Sequence, residues 1–477
     1  MLTKLYKEND AVGLSELVRK GDVAPLELVE QAIHEIERLN PRLNAVTARF
    51  YDQARKTAAG PLPNGPLAGV PFLLKDLSVE WKGFPVTNGC RYFKDYVATS
   101  DWEIARRVRN AGLIPLGKTN VPENGWCIST EPKLFGPTIN PWNANVSAGG
   151  SSGGSAVAVA SGMVPLAEAS DGGGSIRVPA SNNGLVGLKP SRGRVTFGPD
   201  VVDYWYGAVV FLCVSRTVRD TAAYLDAVAG AHPGDPYALS VPATLYLSTL
   251  SQAPRRLRIG LTTRSPDGSS IHPDVRKAIE TAAKICGDLG HGIEEHDLIY
   301  DVEAFKQIFA RITGVQTAAF FNACAKRFGR PVTPKDVESA TWGIIELGKA
   351  VSGTQHSDDI EAMRKLSRKI VDELTRFDLY LAPVLPVPPR PAGWYDMSEP
   401  DIHVYNERLI SDIVFTAPFN CTGQPAITVP VHYSAENVPI AVQFVGRIGD
   451  EATLLRLAAQ IETAYPWRDR HPPDFEN

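Results

Sequence analysis

From residue 149 to residue 175, 14 of 27 residues are glycine or serine, and only Glu168 and Asp171 carry charge. Such a composition suits a flexible linker. Within it, however, Ala156, Val157, Ala158, Val159 and Ala160 form an unbroken apolar run, which predicts a buried helix of small residues. A strand is expected next, at residues 163–167. These glycines therefore punctuate a packed core.

Three chemistries compete for this segment. Phosphate cradling needs G-x-x-x-x-G-K-[ST], or G-x-G-x-x-G after a strand, and neither the lysine nor a ribose-binding acid falls in place. A nucleophile elbow fits the letters of Gly149-Gly150-Ser151-Ser152-Gly153, but the preceding Pro141-Trp142-Asn143-Ala144-Asn145 does not read as the strand an elbow requires. A Ser-His-Asp esterase of the α/β-hydrolase kind would also need a distant histidine, since none lies between His34 and His232. The third chemistry is a serine activated without histidine. In Asp171-Gly172-Gly173-Gly174-Ser175, three residues lacking Cβ precede a serine, leaving backbone N–H groups free to converge on one oxyanion. The competing reading is a glycine-rich turn ending in a helix-capping serine.

Lysine is then the candidate base. Lys75 follows the apolar run Pro71-Phe72-Leu73-Leu74, where burial would disfavour its ammonium form. A base that works near neutrality needs its pKa brought from about 10.4 to roughly 7–8, a destabilisation of ~4 kcal/mol.

Elsewhere, short apolar runs alternate with helical patterns, which argues for α/β layering. Strands are expected at 70–74, 113–116, 256–261, 379–382, 426–429 and 440–445. Helices are expected from Pro25 through Ile36, and at 103–110, 272–289, 304–327, 357–376 and 451–463. Residues 234–255 and 266–271 read as surface connections. The net charge of −4 supplies no electrostatic footprint for a nucleic acid or an anionic membrane. No run of 18 apolar residues and no signal peptide is visible, so a cytoplasmic protein is expected. Six cysteines without a CxxC pair indicate neither a metal site nor a disulfide framework, and no cofactor is expected.

The runs Gly149 to Ser155, Asp171 to Ala180 and Gly187-Leu188-Lys189-Pro190-Ser191-Arg192-Gly193 resemble the signature of the amidase signature family. So do Leu74-Lys75-Asp76, Gly117-Lys118-Thr119-Asn120, Thr130-Glu131, Gly136-Pro137-Thr138, Asn140-Pro141-Trp142-Asn143, Pro418-Phe419-Asn420 and Gly423-Gln424-Pro425-Ala426. The resemblance implies one domain over 1–477, with a central mixed, twisted β-sheet covered on both faces by helices. Its signature core spans about 65–225 and 410–465, and a variable pocket region about 230–400. It implies a Ser-cisSer-Lys triad, with Ser175 as nucleophile, Ser151 on a cis peptide bond as relay and Lys75 as base. Backbone from Gly172 to Ser175 (Gly172, Gly173, Gly174, Ser175) would bind the oxyanion. Ser152, Asp171 and Arg177 would support the loop, although in some members an arginine here meets an anionic substrate.

Two departures stand out: Gly172 replaces the usual Ile or Thr, and Ala169 a usual Gly, so a looser oxyanion loop is expected. Gly329-Arg330-Pro331-Val332-Thr333 with Asp336-Val337-Glu338 and Trp342 looks like 6-aminohexanoate cyclic dimer hydrolases, in a subgroup with aryl acylamidases and urethanases. Trp126, Cys127, Tyr204, Trp205, Tyr206 and Phe211 lie beside signature elements and are candidates for the pocket, with core packing as the competing reading. The expected reaction is hydrolysis of small neutral secondary amides, anilides or cyclic amides, with carbamates feasible. A tRNA-dependent amidotransferase A-type subunit and a catalytically idle interaction protein remain as alternatives. The residues leave monomer and homodimer equally open.

Overall fold

The strands hydrogen-bond into one mixed sheet in a computed structural model that describes residues 2–473 and Phe475. In chain order they are β1 (Val46–Arg49), β2 (Pro71–Lys75), β3 (Ile114–Thr119), β4 (Leu166–Asp171), β5 (Val186–Lys189) and β6 (Val210–Ser215), followed by β7 (Arg258–Leu261), β8 (Gly292–Glu295), β9 (Leu379–Pro383), β10 (Ala426–Tyr433) and β11 (Pro439–Val445). Their order across the sheet is β1-β3-β2-β4-β6-β5-β10-β11-β9-β7-β8. Strand β2 runs parallel to β3 and β4, and β7 to β8 and β9, while the remaining pairs are antiparallel.

Every residue of β2 to β6, β9 and β11 is buried, as strands covered by helices on both faces must be. The outermost strands β1 and β8 are partly exposed. Both had escaped sequence reading: their short, polar-rich runs carry little hydrophobic signal. So had β5 and β6. Segments 65–225 and 410–465 supply β2 to β6, β10 and β11, while 230–400 adds β7 to β9 to the same sheet.

Most expected elements appear within a few residues of their predicted ends, including the helices Glu103–Asn110, Pro273–Asp288, Val302–Phe328, Gly353–Leu374 and Glu451–Ala464, while the helix from Pro25 runs seven residues past Ile36 to Leu43. The strand expected at 163–167 is displaced to Leu166–Asp171. Pro165 has no N–H for the ladder, so pairing starts only beyond it. The connection 234–255 contains a short helix, Tyr246–Thr249, anchored by buried Tyr246, whose N–H donates to Asp226 Oδ1 at 2.7 Å.

The small-residue helix forms at Gly153–Ala160, and all eight of its residues are buried. Its first turn touches backbone directly: a Cβ on Gly154 would lie 2.4 Å from Asn120 N and 2.7 Å from Ala45 O. Glycine at that position lets the helix sit against the end of β3 and the start of β1. Among the described residues, no helix is long and apolar enough to cross a membrane.

Candidate active site

The ends of two neighbouring strands, β2 and β4, and one tight turn build the site. Strand β2 ends at Lys75, whose side chain is buried. Strand β4 lies alongside, and its alternate residues Glu168 and Ser170 both meet Lys75. Glu168 Oε2 accepts the Lys75 backbone N–H at 3.2 Å, and Lys75 Nζ donates to Ser170 Oγ at 2.9 Å and Ser170 O at 3.4 Å. Gly150–Ser151 is a cis peptide bond, and Lys75 Nζ lies 2.8 Å from Ser151 Oγ.

Burial pushes the Lys75 amine down to about 7, although the carboxylates of Glu168 and Asp171 pull it upward. Burial likewise pushes the Glu168 acid up to about 7 against the attraction of Lys118 and Lys75. An amine poised near neutrality and in contact with a hydroxyl can accept a proton without imidazole.

Ser175 and Ser151 line the same cavity, of about 280 Å³, and no histidine is among its lining residues. Ser152 ties the two serine-bearing segments together. Its N–H donates to Ser175 O at 3.3 Å, and its hydroxyl exchanges two 3.3 Å bonds with the Ser170 backbone.

Burial alone would favour the neutral acid at Asp171, but Arg177 and Asn420 hold its carboxyl well below the usual carboxylate range. Arg177 Nε and Nη2 each donate to it at 3.0 Å, in a pair with no solvent exposure. Arg177 also donates to Gln443 Oε1 at 2.9 Å and Asn420 Oδ1 at 2.5 Å. The guanidinium is thus spent on protein partners and does not line the cavity. Asp171 Oδ1 in turn accepts the Gly174 N–H at 2.7 Å. Of the four backbone groups expected to bind an oxyanion, Gly174 already donates to its own loop, whereas the N–H groups of Gly172, Gly173 and Ser175 make no hydrogen bond among the described residues.

The loop is not loose at Gly172 either. A Cβ there would come within 2.8 Å of Trp205 Cζ3, so the indole packs directly against the loop.

Of the expected pocket residues, Trp126, Cys127, Tyr204, Trp205 and Phe211 line the cavity. Trp126 and Trp205 sit 4.9 Å apart between ring centroids, and Phe309 meets Trp205 edge-on at 6.0 Å. Phe211 is nearly all core, packed on Phe197. Burial pushes the Cys127 thiol up to about 12, and its Sγ donates to Tyr395 O. Tyr206 does not line the cavity. Its backbone takes a left-handed conformation (φ 56°), and its hydroxyl is 2.7 Å from His356 Nε2 in a smaller pocket behind Trp205.

Sequence reading missed Ser170 and Glu168, which the displaced start of β4 hid. It also missed Phe309 and Gln316 of the helix Val302–Phe328, together with Asp203 and Asn124, all of which line the cavity. Both polar side-chain atoms of Asn124 are buried without a hydrogen-bond partner.

A family model described as Amidase matches residues 27–455. The chain is 36% identical over 483 aligned residues to a 6-aminohexanoate-cyclic-dimer hydrolase of Paenarthrobacter ureafaciens, covering 99% of this chain and 98% of that protein. A solved structure of 6-aminohexanoate cyclic dimer hydrolase superposes with a TM-score of 0.91 at 36% identity, covering 98% of this chain and 99% of the other. A bacterial aryl acylamidase of the amidase signature family superposes at 0.87 and 31% identity, covering 97% and 98%. With a matched family model over most of its length, full-length relatives and this α/β sheet, the chain belongs to the amidase signature family and is a hydrolase acting on amides.

Proposed function

We propose that the protein cleaves the C–N bond of small secondary amides, including anilides and cyclic amides, through an acyl-enzyme on Ser175, and that it accepts carbamates by the same route. The observation that carries this reading is the 2.8 Å contact between Ser151 Oγ and a buried Lys75 amine held near neutrality.

Neutral Lys75 takes the Ser151 proton while Ser151 takes that of Ser175, and Ser175 Oγ bonds to the carbonyl carbon. The N–H groups of Gly172, Gly173 and Ser175 hold the resulting oxyanion, where a single donor contributes about 3 kcal/mol. The proton returns through Ser151 to the leaving nitrogen, the C–N bond breaks and the amine departs. Water, deprotonated along the same relay, then releases the acid and restores Ser175. A carbamate would leave a carbamoyl or alkoxycarbonyl group on Ser175, hydrolysed in the same way.

The cavity's aromatic walls favour a bulky or ring-bearing group over a bare primary amide. Residues 230–400, which contribute Phe309 and Gln316, shape that selectivity in this reading. All six cysteines are free thiols, which suits a reducing compartment such as the cytoplasm.

Two measurements test the reading. A fluorophosphonate probe should label the protein, and Ser175→Ala should abolish labelling. Turnover should be found on an anilide and on a carbamate; activity confined to primary amides, or no labelling of the parent protein, would overturn it.

A further inference from the structure

Among the residues lining the active-site cavity, Asp203 is the one charged side chain. It is half-buried and makes no hydrogen bond or ion pair among the described residues. The cation that acts on it most, Arg192, is committed elsewhere: its guanidinium donates to Gly207 O at 2.8 Å, Cys421 O at 2.7 Å and Asn420 O at 3.2 Å. Burial raises the Asp203 carboxyl, so the group sits in a setting that disfavours its charge and lacks the partner that would offset the penalty.

An unpaired carboxylate in an otherwise uncharged, aromatic cavity focuses its field on whatever enters. Trp126, Trp205 and Phe309 line the same cavity, and an aromatic ring attracts a cation that lies over its face. The side-chain amide of Asn124, buried and unpartnered, adds a donor and an acceptor on the cavity wall.

We propose that Asp203 makes the site selective for amides that carry an alkylammonium group, the carboxylate pairing with that cation while the amide lies at Ser175. The inference deepens the amide-hydrolase reading and rests on it.

Binding to Ser175→Ala, followed by isothermal titration, tests the pairing apart from turnover. The ligands are an N-(ω-aminoalkyl) benzamide, its ω-hydroxy isostere and its ω-carboxy isostere. The ammonium ligand should bind about ten- to hundredfold more tightly than the hydroxy isostere, as expected for a charge-assisted pair. In Ser175→Ala/Asp203→Asn that ratio should fall to near one, with Asp203→Glu in the same background retaining part of it. Equal affinities in Ser175→Ala, a ratio that survives Asp203→Asn, or strongest binding of the carboxylate would each overturn the proposal. Turnover of the same three amides by the parent protein reports separately on the hydrolase reading. If none is hydrolysed while the ammonium preference persists, the hydrolase reading falls and the cation site stands.

Discussion

The indole of Trp205 lies against Gly172 so closely that a methyl group there would stand 2.8 Å from Cζ3 and 3.1 Å from Cε3. In the proposed mechanism the amide of residue 172 binds the oxyanion, and Trp205 lines the same cavity. A substitution at either is therefore felt at both. Gly172→Ala should displace the indole and lower kcat/KM on an anilide by about ten- to hundredfold, the scale of an ångström-sized misplacement. The overpacking should cost about 1–3 kcal/mol in denaturant unfolding. Adding Trp205→Phe removes the clashing atoms, and kcat/KM should recover in part.

The proposed mechanism fixes a pH profile, because in it Lys75 reacts as the neutral amine. Its amine is pushed down to about 7, and only the neutral amine accepts a proton, so kcat/KM should rise as pH increases through about 7 and level off above it. Lys75→Ala should lower turnover by about 10²–10⁴-fold while leaving the folded circular-dichroism spectrum in place. A rate that stays flat from pH 6 to pH 9, on a scale where unperturbed lysine titrates near ~10.4, would point to a different base.

Glu168 bears on the same titration with a definite sign. Its carboxylate raises the Lys75 pKa by favouring the ammonium, so Glu168→Gln should move the rising limb of the profile to lower pH. The Lys75 backbone N–H keeps an acceptor in the glutamine oxygen, and the maximal rate should change less than the midpoint.

Asp171→Asn tests the loop's foundation. It leaves the fully buried Arg177 without its counter-charge, a loss of about 3–5 kcal/mol for a buried pair broken on one side. A lowered midpoint in urea should accompany slower fluorophosphonate labelling of Ser175, because the Gly174 N–H depends on Asp171 Oδ1.

Residues whose chemistry demands a particular neighbour were the most legible in the sequence. Lys75, Ser151 and Ser175 stand in motifs that announce them, and the structure places the first two in contact and the last two on one cavity. Ser170 and Glu168 were hidden because their roles depend on where β4 begins, and Pro165 sets that start. Asn420 was visible in its motif without a role, since the partners of its side chain, Asp171, Arg177 and Ala208, come near it only when the chain folds back. Tyr206 was misplaced because consecutive left-handed residues at 205 and 206 reverse the direction of its side chain, and nothing in Trp-Tyr foretells that turn. Trp205 packing over Gly172 is of the same kind: the sequence shows only a glycine there, and tertiary structure alone shows what lies against it.

Arg177, which anchors the Asp171 loop, is itself held by Asn420 and Gln443, residues 243 and 266 positions further along the chain. A polypeptide still emerging from the ribosome carries Lys75, Ser151 and Ser175 long before it has these anchors. The Asp171–Arg177 pair thus gains its last side-chain partner only when the final strand, β11, has been made, so a chain ending before residue 443 should leave the Arg177 guanidinium short of one acceptor.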